Sequence, residues 1–280
     1  MAIKDIFLPL VGELDAAAIA AIDKCVAVAG DLGAKISAVA VEENIQVRPK
    51  VMISDDLDNT AAVEARRSVS DARGLLKALD NAAIRFGVRN EQTLIRLAAA
   101  DIPGNFAVCA RIRDLSLVPV KTDDGRSEKI VEQLIFESGR PILMCPEESA
   151  ASLSVAFDDV MIAWDHTAPA ACAVADALPM LRSAAKVRVV TATDDRTPAE
   201  LVSGAALVSH LAEHGIKATF ETVKIDGSSV GKVFEAYVKA NAINLLVMGA
   251  YRHSRLNEIV WGGATKTVIG RPPCWVMMSH

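Results

Sequence analysis

Short hydrophobic runs alternate with helix-like stretches along the whole chain. After the first run, "DIFLPLVG", the residues Ile19, Ile22 and Val26 recur at the spacing of one helix face. Gly33 follows them and is typical of a helix end. Because strands that alternate with helices form βαβ units, the pattern predicts a parallel sheet with helices on both faces.

The pattern also repeats itself. Four segments of the first half align with four segments of the second half, and the last two pairs keep nearly the same offset, 130 and 131 residues. The pairs are "DIFLPLVG" with "DVMIAWDH", "KISAVAV" with "KVRVVTA", "ARIRDLSLVPV" with "ANAINLLVMGA", and "GRPILMC" with "GRPPCWVM". A repeat of this kind decides the architecture. We predict two copies of one α/β domain, residues 1–147 and 156–280, joined by the small polar segment "EESAASLS".

Composition narrows the class of protein. A net charge of −5 without a basic stripe argues against nucleic-acid binding, which rests on clustered Lys and Arg. The five cysteines form no CxxC pair, which favours a reducing compartment. The N-terminus reaches acidic residues too early for a signal peptide, and no apolar run has the length of a membrane span. We therefore expect a cytoplasmic protein without a membrane contact.

One C-terminal stretch suggests a phosphate-binding site. In "LLVMGAYRHSRLNEIVWGGATKTVIG", an apolar strand ends in Gly249, and Gly262 and Gly263 open a short helix after a polar loop. Glycines at a strand end and a helix start let backbone N–H groups approach a phosphate. Arg252 lies in the loop, where a guanidinium could bind that phosphate or occupy its place.

These features resemble the universal stress protein family. The resemblance rests on "IAWDHT", "LLVMGAY", the glycine pair at the helix start and the closing "RPPCWVMM", and the two copies resemble its tandem members. It implies two Rossmann-like (adenine nucleotide alpha hydrolase-like) domains, each a five-stranded parallel sheet with helices on both faces. The family's domains pair through their last strands, so the resemblance further implies an intramolecular pseudo-dimer.

The resemblance also implies a ligand. Many family members bind ATP through a motif of Gly, two residues, Gly, nine residues, Gly, then Ser or Thr, with an aspartate after the first strand at the adenosine. Gly249 and Gly262 match its first and third glycines, while Arg252 and Gly263 replace the second glycine and the hydroxyl residue. We expect an adenine nucleotide (ATP, ADP or AMP) in the second copy, and whether Mg accompanies it stays open. The expected binding residues are Ala163, Asp165, Thr191, Met248, Gly249, Arg252, His253, Gly262, Gly263 and Thr265.

The first copy lacks these features. Val11 stands in place of the aspartate and Pro119 in place of Gly249, while Glu132 and Gln133 align near the glycine pair. Proline has no N–H, and a glutamate would repel phosphate. We therefore expect a degenerate first copy that packs against the second.

Two other functions stay open at this stage. If Arg252 plugs the loop, the protein is a nucleotide-free interaction module, with a homodimer partner or an unknown regulatory protein. "GSSVG" (residues 227–231) fits the G-x-S-x-G pattern of a serine hydrolase that would use Ser229, although no aspartate follows it. Without a positioned general base, we expect no catalysis, or at most slow ATP hydrolysis.

Several shorter patterns have simpler interpretations. "HLAEH" (210–214) fits a zinc signature but is interpreted as a helix end, because no third ligand is evident. "GSSVGKV" resembles a phosphate-binding P-loop one residue short, and Ser228 or Ser229 is interpreted as a helix cap. "DDLD" (55–58) is interpreted as a solvated turn. Trp164 and Tyr251 could flank an adenine but are more often core and surface residues.

Overall fold

The computed structural model describes residues 2–45, 55–147, 156–194, 204–250, 252–255, 258–261 and 263–280. For residues 55–62, 252–255 and 258–261 it describes the backbone alone. Except for Glu147, the predicted linker lies outside the described residues, so the boundaries of the two copies stay a prediction.

The first half alternates strands and helices as its hydrophobic pattern predicts. Its strands are β1 (Asp5–Leu10), β2 (Lys35–Glu43), β3 (Asn90–Leu97), β4 (Leu115–Val120) and β5 (Ile142–Pro146). Its helices are α1 (Ala16–Asp31), α2 (Asp55–Phe86), α3 (Ile102–Ala110) and α4 (Gly125–Glu137), with a 3₁₀ turn at Ala99–Asp101.

The second half follows the same order, with one added hairpin. Its strands are β6 (Asp159–Ala163), β7 (Lys186–Thr193), β8 (Ala218–Lys224), β9 (Leu245–Gly249), β10 (Arg252–Arg255), β11 (Glu258–Trp261) and β12 (Trp275–Ser279). Its helices are α5 (Ala168–Leu181), α6 (Ala205–Glu213), α7 (Val230–Ala240) and α8 (Gly263–Gly270). The antiparallel pair β10–β11 lies where the sequence predicted a polar loop.

Both halves contribute to one sheet of ten strands. The strand order is β3-β2-β1-β4-β5-β12-β9-β6-β7-β8, so each half has five strands in the same relative order. Within each half the neighbours are parallel, and β5 and β12 pair antiparallel, with Met144 opposite Val276. The predicted α/β fold and the pairing of the two halves through their last strands are confirmed.

Burial follows from this order. The central strands β5 and β12 are buried at every residue, while the edge strands β3 and β8 contain no fully buried residue. Parallel strands covered on both faces need such continuous apolar runs. One hydrophobic cluster lies on the side of α1, α2, α5 and α6, and a second lies on the side of α3, α4, α7 and α8. Both clusters extend across the two halves, which fixes their relative position.

Local signals explain several helix ends. Thr167 caps α5 and Ser229 caps α7 with their side-chain oxygens, and α1 ends before Gly33, whose φ is +61°. The predicted solvated turn at 55–58 is wrong, because this segment forms the first turn of α2. Aspartates are favourable there, at the positive end of the helix dipole. In the described part of the chain, no helix is long and apolar enough to span a membrane.

Candidate functional site

The carboxyl ends of β6, β7 and β9 meet at one edge of the sheet in the second half. Ala163 and Met248 are paired neighbours on β6 and β9, and both side chains are buried. Because their side chains belong to the core, these two residues can offer a ligand mainly their backbone groups. In open α/β sheets this edge, where the strand order reverses, is the usual ligand site.

Asp165 is the exposed carboxylate of this edge. Its Oδ1 accepts hydrogen bonds from the backbone N–H of Thr167, at 3.1 Å, and from the Thr167 hydroxyl, at 2.6 Å. Thr167 in turn accepts from the N–H of Ala170 at the start of α5. Both hydrogen bonds of Asp165 within the described structure use Oδ1, so the carboxylate has a fixed orientation. Its Oδ2 has no hydrogen-bond partner among the described residues.

The turn that carries Asp165 has an unusual backbone. His166 has a φ of +60°, and Gly12, its counterpart after β1, has a φ of +106°. The left-handed turn is therefore a property of both copies, and histidine is among the residues that tolerate it. The His166 ring lies 5.2 Å from the Trp164 indole, whose Nε1 has no hydrogen-bond partner in the described residues. This buried N–H is therefore an unsatisfied hydrogen-bond donor in the described structure.

Thr191 connects two of the strand ends. Its hydroxyl donates a hydrogen bond to the carbonyl oxygen of Trp164 at 2.9 Å, and the residue is only 4% exposed. The side chain therefore fixes β7 against β6. What remains for a ligand is the backbone at the end of β7, and the expected contact of Thr191 with a nucleotide stays a prediction.

Gly249 is required for packing. A Cβ on Gly249 would lie 2.5 Å from the backbone nitrogen of Ala170 and 2.7 Å from the carbonyl carbon of Pro169. The first turn of α5 therefore rests directly on the end of β9. The glycine therefore has a packing role at α5, and its expected contact with a phosphate stays a prediction.

The start of α8 is the remaining part of the site. A Cβ on Gly263 would meet no atom of the described residues within 4 Å, so these residues leave the first turn of α8 uncovered. Thr265 is 2% exposed and lies in the interior. Arg252 and His253 belong to the β10–β11 hairpin, but their side chains, like all of Gly262 and Tyr251, lie outside the described residues. The phosphate contacts of these residues stay a prediction.

The matching edge of the first half holds a cavity of about 300 Å³, at the carboxyl ends of β1 and β4. Pro119 lines it, in place of Gly249. Asp15, the N-cap of α1, lies ten residues after Asp5, whereas Thr167 lies eight residues after the matching Asp159. The helix α1 therefore begins two residues later than α5, and its N-cap Asp15 and its residues Ala18 and Ile22 line the cavity.

The helix at this cavity begins at other residues than the sequence alignment predicts. The helix α4 begins five residues after β4 ends, whereas α8 begins fourteen residues after β9. Consequently Glu132 and Gln133 lie inside α4, and the N-terminus at the cavity is formed by Asp124, Gly125 and Ser127. The expected repulsion of phosphate by Glu132 at a helix start is wrong, because the second half has gained a hairpin there.

Asp124 occupies that helix N-terminus itself. Its Oδ2 accepts from the Ser127 N–H at 2.9 Å and from the Ser127 hydroxyl at 2.7 Å. Burial acts to raise the pKa of Asp124, but the hydrogen bonds from Ser127 and the nearby charge of Arg126 outweigh it, so the pKa is lowered. The carboxylate therefore stays ionised at neutral pH.

Comparison with known proteins gives a match for the second half. Residues 156–280 match the model of the universal stress protein family. This half of the chain is similar to a universal stress protein domain. The matched residues include Asp165 and Gly249, which resemble positions of the family's motif, and Gly263, which replaces its hydroxyl residue. A search of curated proteins gives no match to the chain.

Solved structures extend the similarity to the whole fold. A universal stress protein from Archaeoglobus fulgidus DSM 4304 is 14% identical, covers 99% of this chain and 96% of its own, and has a TM-score of 0.69. A functionally unknown protein from Pseudomonas aeruginosa PAO1 is 13% identical, covers 99% and 92%, and has a TM-score of 0.57. At these identities the likeness shows a common fold across both halves of the chain.

A further universal stress protein, from Archaeoglobus fulgidus in complex with dAMP, covers 51% of this chain and 98% of its own. It is 16% identical, and the TM-score is 0.27. At that score the superposition supports no transfer of its ligand to this chain.

The other sequence patterns have structural roles. The Ser229 oxygen accepts from the N–H of Lys232 at the start of α7, and a Cβ on Gly231 would lie 2.7 Å from the Cβ of Thr267 on α8. Capping and close helix packing thus account for "GSSVG". The rings of His210 and His214 contact each other at 4.9 Å. Across the described residues, no three His, Cys, Asp or Glu side chains gather as a metal site.

Proposed function

We propose that the second half of this chain binds an adenine nucleotide at the carboxyl ends of β6, β7 and β9, as a binding rather than a catalytic protein. The observation that carries the proposal is Asp165, an exposed carboxylate oriented by Thr167 at the end of β6. A fixed carboxylate oxygen is a good acceptor for the hydroxyl groups of a ribose.

The surrounding groups support the same ligand. The strand ends at Thr191 and Gly249 offer backbone groups on either side of Asp165. The start of α8 at Gly263, which the described residues leave uncovered, favours an anion through its N–H groups and the helix dipole. In this proposal Arg252 and His253 supply positive charge to the phosphates. The similarity of this half to the universal stress protein family agrees with nucleotide binding.

Nucleotide titration of two matched variants tests the proposal. ATP, ADP and AMP are titrated by calorimetry into wild type, Asp165→Asn and Glu213→Gln. Asparagine keeps the acceptor for Thr167 but removes the charge, so we expect binding to weaken at least about tenfold, the effect of losing a charged hydrogen-bond acceptor. Glu213 is exposed at the end of α6, and its variant should bind as wild type does. Equal binding by wild type and Asp165→Asn would contradict the proposal.

Arg252→Gly separates this function from the nucleotide-free alternative. If Arg252 is a ligand to phosphate, the variant binds ATP more weakly, because a guanidinium donates two parallel hydrogen bonds to phosphate oxygens. If wild type binds no nucleotide and the variant does, Arg252 plugs the loop, and the protein is an interaction module.

A further inference from the structure

The first-half cavity has the features of a second, chemically different ligand site. Its floor is formed by the buried residues Leu10, Ile22, Leu75, Val118 and Ile130. Its mouth is formed by exposed charged residues after β1 and β4, so solvent reaches it. A volume of about 300 Å³ lies at the lower end of the range for small-molecule sites.

Nucleotide chemistry does not fit this cavity. Val11 lines it where the second half has Asp165, so the carboxylate at that strand end is missing, and Pro119 has no N–H to offer. The two helix N-termini that face the cavity are occupied by the protein's own carboxylates. Asp15 Oδ1 accepts from the Ala18 N–H at 2.8 Å, and Asp124 Oδ2 accepts from Ser127. An anion would have to displace or approach these carboxylates.

The charges of the mouth favour a cation. Glu13 pairs with Arg67, at 3.1 Å, and Arg126 pairs with Glu43, while the Arg126 charge also acts on Asp124. Counted together, the ionisable residues that line the cavity in the described structure are four carboxylates and two cationic groups, which gives an excess of two negative charges. They are Glu13, Asp15, Asp124, Glu147, Lys121 and Arg126.

We propose that this cavity binds a small molecule with an apolar body and a protonated amine. The apolar body occupies the floor between Ile22 and Val118, where each buried apolar carbon contributes hydrophobic free energy. The amine lies at the mouth, between the two capping carboxylates Asp15 and Asp124. Binding at this site is independent of the nucleotide proposed for the second half.

Three matched probes test this proposal on the full chain: 2-phenylethylamine, 2-phenylethanol and 3-phenylpropanoate. They share the apolar body and differ in charge. In a titration followed by protein NMR, the amine should bind at least about tenfold more tightly than the carboxylate, because the excess charge favours one and repels the other. The proposal is overturned if the carboxylate binds as well as the amine, or if no probe binds at millimolar concentration.

Two variants localise the binding. In Asp15→Asn with Asp124→Asn, both helices keep an equally good N-cap, so the fold is retained while two charges are removed. Amine affinity should fall about tenfold, and binding of the alcohol should be unchanged. Ala18→Leu places a larger side chain in the cavity and should abolish binding of all three probes, while Glu213→Gln should have no effect. Amine binding that survives in both cavity variants would place the amine elsewhere.

The same samples keep the two proposals apart. ATP should bind equally to wild type and to the Asp15→Asn, Asp124→Asn variant, and it should not displace the amine. Displacement of the amine by ATP would overturn the inference, because it would place a nucleotide in the first-half cavity.

Discussion

Gly249→Ala tests the most specific packing contact of the site. The added Cβ would lie 2.5 Å from the Ala170 nitrogen and 2.7 Å from the Pro169 carbonyl carbon, both backbone atoms of α5. Because unstrained contacts of carbon lie near 3.5 Å, the start of α5 would have to move by about 1 Å. Thr167 and Asp165 are attached to this turn, so the movement would also disturb the oriented carboxylate.

The expected size follows from overpacked cores, where one added methyl group costs about 1–3 kcal/mol. For a chain of this size, that corresponds to a melting temperature lower by roughly 2–12 °C. Gly263→Ala is the matched control, because its Cβ meets no atom of the described residues within 4 Å, and its melting temperature should be equal or slightly higher. Thermal unfolding followed by far-UV circular dichroism measures both. If Gly249→Ala melts with wild type, α5 does not rest on β9 as described.

Three further predictions concern other described residues. The Tyr237 hydroxyl donates a hydrogen bond to Glu221 at 2.6 Å, and burial together with that carboxylate raises the pKa of Tyr237. The stability that this pair contributes should be complete below pH about 10 and should decline as the pH rises above it. Denaturant unfolding between pH 8 and 11 should show a steeper decline for wild type than for Tyr237→Phe. A folded-state tyrosinate titration at 295 nm with both tyrosines near pH 10 would contradict this. Burial raises the pKa of Cys274 to about 12, so Ellman's reagent should modify the exposed Cys172 first and Cys274 only after unfolding. Ser229→Ala should lower the free energy of unfolding by about 1 kcal/mol through loss of the α7 cap, and Ser229→Asp should retain it; if Ser229→Ala instead abolished an esterase activity of wild type, the serine would be a nucleophile.

Much of the fold could be predicted from the sequence, because its signals are local. The repeat of Asp5 with Asp159, together with the alternating runs, predicts two parallel α/β units, and the caps at Thr167 and Ser229 follow from residue type and position. Pairing of β5 with β12 could be predicted only through the family resemblance, since it joins segments far apart in the chain.

The candidate sites were harder to predict because they depend on small offsets between the copies. The first-half cavity lies where α1 begins two residues later than α5 and where Pro119 stands in place of Gly249. Neither change has a periodicity signal, although the sequence "DDGRS" could have indicated a helix cap at Asp124. The letter Gly at 249 likewise does not reveal whether a phosphate or a helix makes the close approach. The contact of α5 with Gly249 becomes visible only from the position of Ala170 in the structure.

Hydrogen exchange measured by mass spectrometry, with and without saturating ATP, tests the central proposal most directly, because it locates the ligand within the chain. We predict slower exchange after β6, at residues 163–167, and around the end of β9 and the start of α8, at residues 247–250 and 263–267. Exchange at residues 9–13 and 118–127, around the first-half cavity, should be unchanged. Protection of the first-half segments, or of neither half, would contradict the assignment of the nucleotide to the second half.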